Sequence, residues 1–108
     1  MELLEIAVKL KDKYKSTGKV LQLIYDSALE QIEIPSVRNF IEYYQKEYSE
    51  TEGEDCIIIN GRLFDWKELE SNEVIVEFLN LMRRYMSDEI LCDILRKVWQ
   101  TIKRLRLY

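Results

Sequence analysis

Cys56-Ile57-Ile58-Ile59-Asn60-Gly61-Arg62-Leu63-Phe64 is the stretch around which this chain organises itself. Two apolar runs flank an Asn-Gly pair, and a type I′ turn needs positive φ at both of its central residues, which Asn and Gly tolerate best. The spacing predicts a two-residue hairpin over about 55–65. Such a hairpin is marginal on its own in water, so it must lie against other elements. Directly after it, Asp65-Trp66-Lys67-Glu68 has the spacing of a capping box, with Asp65 in place of the usual Ser or Thr, and predicts the start of a short helix.

Most of the rest reads as helix. Downstream, Ile75, Phe78, Leu79, Met82, Tyr85 and Met86 make one apolar stripe, and Ser87-Asp88 forms a break and a new cap. The last segment repeats Leu91, Leu95, Val98, Ile102 and Leu105 as a narrow heptad seam, widened by Ile94 and Trp99. Upstream, residues 49–55 offer nothing apolar to bury and read as an exposed loop. Before them, Val37, Phe40, Ile41, Tyr44 and Tyr48 are expected to face inward from a helix capped by Ser36. Ile34-Pro35 should end the preceding helix, whose apolar face is Val20, Leu21, Ile24, Ala28 and Ile32. Thr17-Gly18 should break that helix from a first one, Met1 to about Ser16, with Leu3, Ala7, Leu10 and Tyr14 in line. The expected architecture is mainly α: one domain over 1–108, a small bundle of four or five helices with one β-hairpin.

Bulk properties agree and exclude much. With 47% hydrophobic residues and few Gly or Pro, 108 residues can enclose a core without a metal or disulfide. A formal net charge of −4 argues against a domain held chiefly by nucleic-acid phosphates, which is usually basic. Glu2, Glu5, Lys9 and Lys11 interrupt any N-terminal apolar run, and no stretch approaches the ~20 apolar residues of a membrane span. A cytoplasmic, intracellular protein with no membrane contact is therefore expected. Cys56 and Cys92 stand far apart and read as reduced, buried side chains.

The chain has no histidine, which removes the usual general base near neutral pH and the Ser-His-Asp, Cys-His and H-E-x-x-H sites. Its three glycines, at 18, 53 and 61, stand alone, so neither a Walker loop nor G-x-G-x-x-G exists. Glu50, Glu52, Glu54 and Asp55 cluster without the spacing of an EF-hand and read as a solvated loop. No cofactor, metal site or catalytic residue is expected.

Two surfaces remain. In the last helix, Arg96, Lys97, Lys103 and Arg104 form two rows opposite the apolar seam, and Arg106 extends them. Cations there suit the helix macrodipole, and they also offer a docking face for an acidic partner or a phosphate backbone. Facing the acidic 42–55 segment of a second copy, they make a homodimer through the C-terminal helix conceivable. The leading expectation is a non-enzymatic protein acting through protein–protein contacts, as an adaptor, regulator or inhibitor. Its Lys, Glu and Ile richness is compatible with a viral or mobile-element source. The alternative is a winged-helix-like nucleic-acid binder, on the strength of three helices followed by a hairpin. Asn39 and Gln45 would then contact bases, and Arg38, Lys46 and Arg62 phosphates. Order of elements alone makes that an analogy.

Overall fold

The computed structural model describes residues 17–105. In chain order it holds α1 (Thr17–Leu29), α2 (Pro35–Ser49), β1 (Cys56–Ile59), β2 (Arg62–Asp65), a 3-10 turn (Trp66–Glu68), α3 (Asn72–Arg83) and α4 (Asp88–Leu105). The mainly helical architecture with one antiparallel hairpin is as the sequence predicts. The first expected helix, Met1 to about Ser16, lies outside the described residues.

The hairpin forms where Asn-Gly places it. Ile59 pairs with Arg62 and Cys56 with Asp65, and φ is +55° at Asn60 and +79° at Gly61. β1 packs against α2 and α3, and α1 packs against the three other helices. Ile59 and Phe64 enter the same core as Phe40, Ile41, Phe78, Met82 and Leu91, all essentially inaccessible to water. Phe40 and Phe78 meet edge to face at 5.8 Å, joining α2 to α3 beneath the hairpin. After β2, Asp65 accepts from the Glu68 amide at 3.0 Å while the Glu68 side chain accepts from the Asp65 amide at 3.3 Å, which completes the capping box.

Several helix ends differ from the sequence reading. Gly18 lies within the first turn of α1 and is not among the positive-φ residues, so no left-handed cap stands there. α1 stops at Leu29, well before Pro35, because the chain tightens into i→i−3 turns: Gln31 donates to the Ala28 carbonyl at 2.9 Å and Ile32 to that of Leu29 at 3.2 Å. Ile32 is consequently turned out, 39% exposed, instead of facing inward. Pro35 opens α2, with Ile34 as the extended cap residue and Ser36 already inside the helix, because a proline ring is preorganised for the first helical position. Ser87 caps α4 as expected, accepting from the Ile90 amide at 3.4 Å.

The heptad seam of α4 turns inward. Leu91, Ile94, Leu95 and Val98 are fully buried within the chain, so this part of the heptad stripe is core.

Candidate functional site

α2 carries two tyrosine-led pairs spaced four residues apart, Tyr43 with Glu47 and Tyr44 with Tyr48, and these lie on different flanks of the helix. The first flank is closed. Glu47 is only 5% exposed, and its carboxylate accepts the Asn60 and Gly61 amides, each at 2.7 Å, and the Tyr43 hydroxyl at 3.1 Å. A buried charge is tolerable only when its oxygens are satisfied in this way, and charge-assisted bonds to backbone amides are among the stronger ones. The two amides it receives belong to the tip of the hairpin, so one side chain of α2 pins the turn. Arg84, just after α3, completes the arrangement. Its guanidinium donates to Asn60 Oδ1 at 2.6 Å and lies over the Tyr43 ring at 5.3 Å and the Tyr85 ring at 5.8 Å.

The second flank is open. Tyr44 is anchored from behind, stacked on Phe40 at 6.3 Å and edge-on to Phe78 at 5.2 Å. Its ring also meets Tyr25 at 5.5 Å and Tyr48 at 6.2 Å, inclined by 51° and 46°. Gln45 fixes Tyr25 by donating to its hydroxyl at 2.7 Å. Burial, followed by the neighbouring Tyr48, Tyr25 and Glu47, pushes the Tyr44 phenol up to about 12, so it remains a neutral hydroxyl across the physiological range. Two adjoining clefts, about 520 and 400 Å³, share Leu21, Gln22, Tyr44, Tyr48 and Glu52 in their walls. Tyr48, expected to face inward, is 50% exposed. The helix turns it toward this hollow, beyond the part of α2 that the hairpin and α3 cover.

The residues singled out in the sequence are scattered across other tasks. Arg96 reaches Asp93 at 3.4 Å and Lys97 stands 4.0 Å from Glu30, while Lys103 and Arg104 are exposed at the end of α4. Arg106 lies outside the described residues. Of the nucleic-acid set, Arg38, Asn39, Gln45 and Lys46 do share the outer side of α2. Arg38, however, folds back onto the carbonyls of Ile32 (3.3 Å) and Glu33 (3.5 Å), where it closes the α1–α2 turn. Gln45 is occupied with Tyr25, and Arg62 pairs with Glu73 while covering the Phe64 ring at 4.8 Å. Asn39 and Lys46 are exposed.

Neither cysteine is fully buried as expected: both are free and half-buried. Partial burial and the Glu54 and Asp55 carboxylates push the Cys56 thiol up, which disfavours the nucleophilic thiolate. Among the described residues no group of three or more Cys, Asp or Glu side chains is arranged to hold a metal ion, and no helix is long and apolar enough to cross a membrane.

Glu47 is the residue that sequence reasoning missed. It was legible in principle, because it stands seven residues after Phe40 and three after Tyr44, an acid close to an apolar stripe. Its partner, a turn 13 residues further on, has no local signature. Comparison with protein-family models, with curated proteins and with solved structures finds no match for this chain.

Proposed function

We propose that this chain is a small non-enzymatic interaction protein, working as an adaptor, regulator or inhibitor through contact with another protein. The observation that carries this reading is the open flank of α2. Tyrosine is enriched at protein interfaces because its ring supplies area at low entropic cost and its hydroxyl stays wet. Ile32 and Leu63, exposed singly elsewhere, need no such explanation. Tyr25, Tyr44 and Tyr48 form a group, firmly backed by the core and fronted by a cleft. The hairpin edge is a poorer docking site. Its register turns the Leu63 amide outward, while the outward amide of Asp65 is already taken by Glu68.

The nucleic-acid alternative has less support. Three of its five contact residues are engaged within the fold, and the hairpin tip is tied to the helix it would have to flank as a wing. The basic end of α4 remains a second surface on which an acidic partner would fit.

Site-specific photo-cross-linking in the native host tests the proposal. A photoreactive phenylalanine analogue replacing Tyr48 should capture one dominant protein, and the same analogue replacing Asn39 should not. Equal, diffuse labelling from both positions, or none from position 48, would overturn it.

A further inference from the structure

Resting on the reading of the open flank as a docking surface, we infer that the Tyr25–Tyr44–Tyr48 cleft receives an arginine side chain from a basic peptide segment of the partner. Three features point there. Tyr25, Tyr44 and Tyr48 all line the smaller cleft, and a cation over a tyrosine face is attracted by the ring quadrupole. The rim is acidic: Glu52 lines both clefts and Glu54 the larger one, both exposed at the mouth. Charged lining residues of the larger cleft are Glu52, Glu54 and Glu70 against Lys19, an excess of negative charge.

The third feature is an internal precedent. On the opposite flank the molecule already does what the cleft would do between molecules. Arg84 spreads its guanidinium over Tyr43 and Tyr85 and donates from its edge to an oxygen, that of Asn60. The open flank again brings tyrosine rings and carboxylate oxygens together; among the described residues the one cation in the cleft walls is Lys19, and a guanidinium is left for the partner to bring. Arginine suits the site better than lysine, because a planar guanidinium stacks and donates from its edge at once, whereas an ammonium acts as a compact, strongly hydrated charge.

Hexa-arginine and hexa-lysine, acetylated and amidated, are the probes, titrated into the full chain by calorimetry at physiological ionic strength. Hexa-arginine should bind more tightly than hexa-lysine, and Tyr48→Leu and Glu52→Gln should each weaken it roughly fivefold to tenfold. Glu52 lies in an exposed loop, so that variant tests the site without touching the core. Charge reversal at Lys97 and Arg104, remote from the cleft, should not weaken it. Equal affinity of both peptides, or unchanged affinity in both cleft variants, would overturn the inference and leave only diffuse attraction to an acidic protein. Self-association of the free chain that is abolished by Tyr48→Leu and by Arg104→Glu would also overturn it, making a second copy the occupant. Cross-linking of one protein at position 48 without arginine preference would sink this inference while leaving the docking surface intact; loss of both would remove the two together.

Discussion

The two flanks of α2 use nearly the same materials to opposite ends. On one, Tyr43, Glu47, Asn60, Gly61, Tyr85 and Arg84 satisfy one another, and the chain supplies every donor, acceptor and ring. On the other, Tyr25, Tyr44 and Tyr48 are backed by the core but fronted by a hollow. An internally completed set stabilises the fold. A set fronted by a cleft contributes less to stability and leaves the Tyr48 ring half exposed. Residues of one flank should therefore matter to folding, and residues of the other to binding.

Removing the carboxylate is the largest test. Glu47→Ala deprives two turn amides of their acceptor and should cost about 2 kcal/mol, lowering the melting temperature by roughly 10 °C for a domain of this size. A loss below about 0.5 kcal/mol in thermal or urea unfolding would mean that water replaces Glu47 at no penalty, and the contrast between the flanks would collapse.

A paired substitution sharpens the comparison. Tyr43→Phe removes only the hydroxyl that donates to Glu47 and should cost about 1 kcal/mol. Tyr48→Leu alters a half-exposed ring and should stay within about 0.5 kcal/mol of the parent chain. The reverse order in equilibrium unfolding would show that the open flank is structural after all.

A separate effect lies at high pH. The Tyr44 phenol is raised above its ordinary value of about 10 to about 12. Folding therefore favours its neutral form. The stability this contributes is fully present below about pH 10 and is lost as pH climbs through about 12. Phenolate absorbance should show a late-ionising step that is lost in Tyr44→Phe; identical titration curves for both chains would contradict it.

What was readable in the sequence follows from how far each determinant reaches. The hairpin and the Asp65–Glu68 box are specified by residues at most three apart, and both form where the sequence puts them. The helix stripes of α3 and α4 are likewise local in period: Ile75, Phe78, Leu79, Met82, Leu91, Leu95 and Val98 are buried as their spacing predicts, while Val74 and Leu81 are equally buried outside the predicted stripe. The end of α1 is different: Pro35 marks the furthest point a helix can reach, while the actual stop at Leu29 depends on tight turns and on the Arg38 guanidinium arriving from the next helix. Tyr48 follows the inward spacing of Val37 and Ile41 but emerges near the helix end, where the core has given way to a cleft. Of the candidate site, the sequence showed Tyr44, Tyr48 and the acidic loop as separate features. Their juxtaposition across α1, α2 and residues 50–55 is a product of tertiary packing, which a period cannot convey.

The pinned turn also bears on how the protein ages. Asn-Gly is the dipeptide most prone to lose ammonia, because the glycine nitrogen closes onto the asparagine side-chain carbonyl to give a cyclic imide. Here both reacting groups are engaged: the Gly61 N–H donates to the Glu47 carboxylate, which raises the nitrogen's electron density, and the Arg84 guanidinium donates to Asn60 Oδ1, which polarises the carbonyl. The chemical lifetime of this link is therefore set by Glu47 and Arg84 as well as by the dipeptide itself.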